Sequence, residues 1–371
     1  MKRVGILGST GSIGKNAIDV LEGLQGFKIT FLSCYSNLEE FGKQVSRLKP
    51  EFIGVIDPSA GEEAKRIFDV PVLVGYGEME RVLDHLDILL ISTTGTGVIS
   101  LLLKALDKGI RIAMANKETL VSFGPILRRK IKGKEVIPVD SEHSAVFQSI
   151  HAGRREDIKR IILTASGGPF KNRADLSGIT PDDALKHPNW RMGKKITVDS
   201  ATLFNKGLEA HEAKTLFGLS ADMIEIVVHP QSIIHSLVEF VDGSVIAQMS
   251  LPDMRIPIQY AFTYPERKPS PANPMNLVEV GSLTFEMPDL KRFPLLKLAL
   301  ELLNEENTLP AVMSRADEIA VEAFLRGEIG FNDIYELVAR TVDAHNPSEI
   351  QSIGDVIKAE EWADEFIRRM I

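Results

Sequence analysis

The chain has 371 residues, 44% of them hydrophobic, enough for two or three domains with sizeable cores. Its formal net charge is -8 with Lys and Arg interspersed among the acids, which excludes a general affinity for nucleic acid or anionic membrane, so an anionic ligand needs a local site. One cysteine, Cys34, excludes an internal disulfide framework and a Cys-rich zinc site, as expected of a reducing compartment.

No window approaches the ~18 uninterrupted apolar residues of a membrane span. Only Lys2 and Arg3 precede the first apolar run, so no cleaved signal is expected and the chain is read as cytoplasmic. From residue 1 to 140, short apolar runs (Val4 to Leu7, Lys28 to Leu32, Phe52 to Ile56, Ile88 to Ile91, Arg111 to Met114, Val136 to Val139) alternate with stretches of helical spacing. That alternation predicts an α/β domain, a doubly wound, Rossmann-like parallel sheet of six strands.

Gly8-Ser9-Thr10-Gly11-Ser12-Ile13-Gly14 directly follows the first strand and opens the first helix. Backbone N–H groups at such a helix start cradle a pyrophosphate, and glycines let it approach. The spacing is G-x-x-G-x-x-G, a relative of the dinucleotide fingerprint; a tight turn without a ligand is the alternative. At the end of the second strand, Tyr35-Ser36-Asn37 carries no acid before Glu39 to bond ribose hydroxyls, which tilts the cofactor toward NADP, with Ser36 and Asn37 bonding the 2′-phosphate.

After the sixth run, Val139-Asp140-Ser141-Glu142-His143 places carboxylates at i and i+2, which on an extended segment share a face and suit one hard cation. In isolation two solvated acids fit the pattern as well. From 141 to 265 longer strand-like runs broken by Gly and Pro predict an α+β domain on a mostly antiparallel sheet. Within it, Ser166 in Thr164-Ala165-Ser166-Gly167-Gly168-Pro169-Phe170 sits in a small-residue turn suited to an anion. His187-Pro188-Asn189-Trp190-Arg191-Met192-Gly193 reads as a flap over a bound substrate or as a loop anchored by Trp190.

Ser200, Asn205, Lys206 and Glu209 share a helical stretch, with Asn205 and Glu209 on one face; they suit a phosphate and a third metal carboxylate, or else Lys206 and Glu209 are a solvated pair. His229 and His235 follow an apolar strand and are not read as ligands. Tyr264 to Pro274 holds four prolines in eleven residues, which marks 266–288 as a linker, and 289–371 carries amphipathic spacing for a helical bundle.

In register along the whole chain, GSTGSIG, Asn116-Lys117-Glu118, VDSEHS, SGGPF, HPNWRMG, VDSAT, NKGLE, HPQSIIHS and LPDMR resemble the segments of the 1-deoxy-D-xylulose 5-phosphate reductoisomerase family. The resemblance implies an NADPH- and metal-dependent enzyme that rearranges 1-deoxy-D-xylulose 5-phosphate and reduces the resulting aldehyde to 2-C-methyl-D-erythritol 4-phosphate. It implies Asp140, Glu142 and Glu209 as ligands of Mg²⁺ or Mn²⁺, and Ser141, Glu142, Ser166, His187, Ser200, Asn205, Lys206 and Glu209 as substrate contacts. Lys117, Glu142 and His187 then stand at the chemistry. Thr10, Gly11, Ser12, Ile13, Asn116, Glu118 and Gly193 match cofactor contacts, Trp190 and Met192 the flap.

The resemblance also implies a homodimer acting on a small phosphosugar, with no nucleic-acid or membrane partner. Two departures bear on the cofactor: no basic residue at Tyr35-Ser36-Asn37, and a polar Ser92-Thr93-Thr94-Gly95-Thr96-Gly97 run where the family is more apolar. Competing readings are a semialdehyde or homoserine dehydrogenase, which needs no metal, and a nucleotide-sensing protein without turnover.

Overall fold

The computed structural model describes residues 1–190 and 192–371; Arg191 of the flap segment lies outside them. Contacts divide the chain into two compact units, Met1–Asn116 with Lys130–Ser144 and Asp253–Pro274, and Lys117–Arg129 with Ala145–Pro252 and Met275–Ile371.

The first unit holds seven strands, β1 (Lys2–Leu7), β2 (Phe27–Cys34), β3 (Phe52–Val55), β4 (Val72–Val74), β5 (Ile88–Ile91), β6 (Arg111–Met114) and β7 (Val136–Pro138). They pair in parallel in the order β4-β3-β2-β1-β5-β6-β7. The chain runs outward from β1 to β4, then returns to the other side of β1 as β5. That reversal leaves a crevice beyond the carboxyl ends of β1 and β5, where open α/β sheets bind ligands. The extra strand over the six expected is β4, three residues at the sheet edge after Pro71, too short to carry a periodic signal. Arg255–Thr263 packs against the first helix, Ser12–Gly23, where Arg255 reaches Asp19 at 3.3 Å.

The second unit is built on β8 (Ile158–Ala165), β9 (Ile224–Val228), β10 (Ile234–Phe240) and β11 (Val245–Met249), in the order β11-β10-β8-β9. β10 is antiparallel to both neighbours, while β8 and β9 run parallel, so the sheet is mixed. A parallel pair needs a crossover, and the helix Phe204–Phe217 lies in it. That helix is buried between two cores. Ala210, Ala213 and Phe217 pack with Ile161, Leu163 and Val238 of the sheet. Phe204 and Leu208 pack with Ala316, Ile319 and Phe324 of the helix Leu309–Leu325 and with Ile334 and Val338 of the helix Phe331–Ala344.

Of the helix Phe204–Phe217, all but Asn205 and Leu216 are buried, among them Lys206, Glu209, His211, Glu212 and Lys214. Charges taken out of water are costly unless paired or ligating. A helix this polar at the centre of a domain must therefore find partners for its buried charges, as His211 and Lys214 do at the carbonyls of Ala299 and Leu303.

Candidate active site

In the first unit the loop after β1 is shaped for an anion. Gly8 has φ +81 and its Cβ would lie 2.7 Å from the Ser92 carbonyl oxygen; a Cβ on Gly14 would come within 2.4 Å of the Gly8 carbonyl. Only glycine fits either place. Gly11 N-caps Ser12–Gly23 with no side-chain cap and its own N–H donates to the Gly8 carbonyl at 3.1 Å, so no cap side chain takes up the first N–H groups of that helix. The loop is held from behind. Gly8 N–H donates to Ser33 Oγ at 3.2 Å, Ser9 Oγ donates to Gln44 Oε1 at 2.6 Å, and Gln44 Nε2 returns a bond to the Ser9 carbonyl at 2.9 Å.

Asn116 spends its amide on the same rim, donating to the carbonyls of Thr93 (2.7 Å) and Gly95 (2.8 Å). It therefore orders the polar loop that follows β5. Ser36 and Asn37 lie beyond the end of β2, but Asn37 Oδ1 accepts from Glu40 N–H at 3.2 Å and caps the helix Leu38–Leu48. Only its Nδ2 remains to serve a 2′-phosphate.

Asp140 and Glu142 do not lie on a strand. β7 ends at Pro138 and a helix begins at Ser141 (Ser141–Ser149), the Asp140 carbonyl accepting its first bond from Ser144 N–H at 2.8 Å. The i, i+2 projection expected of an extended segment is therefore replaced by a helix start, whose dipole favours carboxylates there. The Ser141 hydroxyl donates to the Glu142 carboxylate, and Nδ1 of buried His143 lies 3.6 Å from Asp140.

In the second unit Glu209 is 1% exposed and gathers three donors: Asn205 Nδ2 at 2.5 Å, Lys117 Nζ at 3.2 Å and the Lys206 ammonium. Lys117 also lies 3.6 Å from Glu212, itself fully buried. Lys206 and Glu209 are thus a buried pair, not a solvated one. Glu212, three residues on from Glu209 and on the same helix face, is a participant the sequence reading passed over, although the spacing was available.

Ser166 and His187 meet across 21 residues, Oγ to Nε2 at 3.1 Å. His187 Nδ1 accepts from the N–H groups of Asn189 (3.2 Å) and Trp190 (2.9 Å), which puts its proton on Nε2 as a donor to Ser166. The Ser166 oxygen also accepts from Gly168 N–H at 3.2 Å, leaving its own hydrogen to donate. A cavity of about 420 Å³ beside Ser166 and Gly168 is lined by Lys171, Arg173, Lys186 and Asp183, with Lys186 paired to Asp183 at 3.2 Å and Lys171 to Glu286 at 2.6 Å. Gly168, at φ +68, lies so close to the helix Lys194–Ala201 that its Cβ would sit 2.4 Å from the Ser200 carbonyl. Ser200 is buried at the end of that helix, and Gly193 caps its start, its carbonyl accepting from Thr197 Oγ at 2.7 Å.

Partly buried Glu118 has its carboxyl pushed up by desolvation, against the pull of Lys195. His229 is structural: Nε2 accepts from the N–H groups of Ile233 and Ile234, both at 3.2 Å, and Nδ1 lies 2.9 Å from the Thr284 carbonyl. His235 bonds Ser250 Oγ at 2.9 Å, with its ring 6.1 Å from that of Trp190. Burial pushes the Cys34 thiol up to about 12, so it is no nucleophile and the semialdehyde dehydrogenase chemistry lacks its thiolate.

Family models match most of the chain: 1-deoxy-D-xylulose 5-phosphate reductoisomerase over residues 4–124, and two C-terminal domains of that reductoisomerase over residues 136–217 and 249–366. Similar curated proteins include the reductoisomerase of Thermodesulfovibrio yellowstonii, 44% identical with 100% of both chains covered, and that of Chlorobium phaeovibrioides, 45% identical over 98% of this chain and 97% of the other. Among solved structures, the Zymomonas mobilis reductoisomerase in complex with NADPH superposes with a TM-score of 0.91 at 37% identity, covering 100% of this chain and 98% of that one. A reductoisomerase in complex with NADPH, fosmidomycin and magnesium gives 0.92 at 32%, with the same coverage.

Proposed function

The chain belongs to the 1-deoxy-D-xylulose 5-phosphate reductoisomerase family, and from that membership we propose that the residues described above carry the family's reaction in it. The enzyme converts 1-deoxy-D-xylulose 5-phosphate to 2-C-methyl-D-erythritol 4-phosphate, an isomerisation of the carbon skeleton followed by reduction, and it requires NADPH and a divalent metal.

The knot of Lys117, Asn205, Lys206 and Glu209 carries the assignment, because it gathers buried charge at the positions that the family's motifs give to metal and substrate. Asp140, Glu142 and Glu209 would hold the ion, Mg²⁺ or Mn²⁺, since an all-oxygen carboxylate set suits a hard cation. Bound there, such an ion supplies a Lewis acid to the substrate oxygens. The glycine loop with its uncapped helix start fits a dinucleotide, and NADPH supplies the hydride; Thr10, Gly11, Ser12, Ile13, Ser36, Asn37, Asn116, Glu118 and Gly193 would contact it.

Ser166, Ser200, Asn205 and Lys206 bind the phosphosugar by donating to its oxygens, with Ser141, and His187 fixes Ser166 through Nε2–H. Lys117 holds positive charge beside the reacting carbons, its place set by Glu209 and Glu212. Trp190 and Met192 cover the bound substrate. Phosphate binding away from the reacting carbons supplies the energy for closing that cover and excluding water.

Two coarser features complete the reading. No helix among the described residues is long and apolar enough to cross a membrane, and we place the enzyme in the cytoplasm, where NADPH and reduced Cys34 belong. A homodimer is supported by the edge strand β11, which exposes Val245 and Ile246, and by Leu277, Val278, Phe285 and Met287, exposed in the following segment. We assign 1–140 to NADPH binding, 141–265 to catalysis, 266–288 to a linker and 289–371 to a supporting bundle.

Spectrophotometric NADPH consumption with 1-deoxy-D-xylulose 5-phosphate tests the assignment. Turnover is expected with Mg²⁺ or Mn²⁺ and none after chelation; metal-independent turnover overturns it. Glu209→Gln should lower kcat at least about a hundredfold while NADPH affinity stays near wild type. Loss of NADPH binding along with turnover would instead point to misfolding of the variant.

A further inference from the structure

The helix Lys194–Ala201 has an unusual station: Gly193 of the flap segment caps its start, and Ser200 and the Gly168 loop meet at its end. Shifting this helix by a fraction of an ångström would shift every phosphate donor that rests on it. Inside it, the Lys195 ammonium lies 2.6 Å from Asp199 Oδ2, one turn along, and 2.8 Å from Asp317 Oδ2 on the helix Leu309–Leu325. Asp199 and Asp317 are 1% and 0% exposed. None of the three is assigned to the chemistry, although Asp199 directly precedes Ser200 and Lys195 acts on Glu118 through its charge.

We propose that Lys195, Asp199 and Asp317 form a buried clamp in which the two carboxylates share one proton over a single ammonium, and that this clamp positions Ser200 and the Gly168 loop for the substrate phosphate. They are positioning residues, and the inference rests on the assignment of Ser200 and Ser166 to phosphate binding.

The charge balance makes the case. One ammonium compensates one carboxylate; a second bare carboxylate at 0% exposure would be an uncompensated buried charge, which proteins avoid by protonating it. The other charges facing the clamp are Glu118 from the helix Lys117–Ser122 and Glu318 next to Asp317, both negative, with Glu318 paired to Arg315 at 2.6 Å. From the helix Phe204–Phe217 the neighbour is the Phe204 ring, 5.9 Å from Lys195 Nζ. Nothing described there offers a second cation. Consistent with this, burial first and then the charge of Asp317 push Asp199 up to about 8, and burial pushes Asp317 up. The two titrate as a pair, losing their shared proton above neutrality.

The sign follows. Below about pH 8 the clamp is neutral and closed; above it the pair gains a second negative charge, the carboxylates repel, and the helix loosens from Leu309–Leu325. KM for the phosphosugar should then rise at alkaline pH, by at least about fivefold between pH ~7.5 and ~9.5. Asp317→Asn mimics the protonated member, so this variant should keep wild-type kcat and KM near pH ~7.5 and lose the alkaline rise. The substrate phosphate is already a dianion over this range and contributes equally to both enzymes.

The experiment is the pH profile of KM for the phosphosugar and for NADPH in wild type, Asp317→Asn and Ser200→Ala. An alkaline rise confined to the phosphosugar KM and absent from Asp317→Asn supports the clamp. The same rise in both enzymes, no rise in wild type, or equal changes in the KM for NADPH overturns it. If Ser200→Ala leaves the phosphosugar KM unchanged at every pH, the phosphate assignment fails instead. Should Asp317→Asn fold poorly, Lys195→Arg, which keeps the cation, must retain the alkaline rise, and its loss there equally overturns the proposal.

Discussion

At the scale of single residues, the site is governed by where charge is buried. Glu209 at 1% exposure, with donors from Lys117, Asn205 and Lys206, is pre-oriented by the protein before any ligand arrives. Gln44 does for the nucleotide loop what those donors do for Glu209, since its amide both accepts from Ser9 and donates to it. Gln44→Leu removes two buried hydrogen bonds and leaves the Ser9 carbonyl without its donor; NADPH affinity measured by fluorescence titration should fall about tenfold while the KM for the phosphosugar holds. A comparable destabilisation elsewhere in the first unit, Gln259→Leu, removes the bonds to the Lys268 and Pro269 carbonyls and should lower Tm without moving NADPH affinity. Cys34→Ala should leave kcat unchanged, because a thiol held this far above its usual range has no part in the reaction.

At the scale of elements, two helices decide what the motifs mean. The helix Phe204–Phe217 carries an ordinary polar pattern but lies between two cores, and His211 shows the consequence: burial lowers its imidazole to about 4, with Nε2 at 2.8 Å from the Ala299 carbonyl. A histidine whose folded value is depressed is neutral in the native state while the unfolded chain takes up a proton below about 6.5. Stability is therefore lost as pH falls from about 6.5 to about 4, by up to about 3 kcal/mol. Denaturant titrations at these two pH values should show that loss reduced in His211→Gln, which keeps a donor for Ala299 without the titration. The second case is the Gly168 turn against the helix Lys194–Ala201. Gly168→Ala places a methyl 2.4 Å from a backbone oxygen at a φ of +68, so it should raise the phosphosugar KM and cost about 1–3 kcal/mol of stability.

At the scale of the whole molecule, the parallel seven-stranded sheet and the mixed four-stranded sheet each leave edges, and β11 is an edge with apolar side chains exposed. Exposed apolar edges are liabilities that a partner removes. Light scattering should give twice the 41.0 kDa chain mass for the wild type, and Ile246→Asp should shift it toward a single chain. A wild-type mass of one chain would reject the dimer.

Periodicity, glycine spacing and contiguous motifs are local properties of the chain, which is why the parallel α/β sheet, the glycine loop, the helical C-terminal region and the family were legible before any fold was known. The sequence also brought forward the carboxylates and the residues proposed as phosphate donors. Tertiary structure decided what spacing cannot encode. Asp140 and Glu142 stand at a helix start and not on a strand, because the chain leaves the sheet at Pro138. Lys206 and Glu209 are buried and not solvated, because two cores close over their helix. Glu212, Gln44 and the clamp of Lys195, Asp199 and Asp317 gained their roles only from partners tens of residues away; burial turns such an encounter between polar groups from a negligible surface pair into an interaction that must be satisfied.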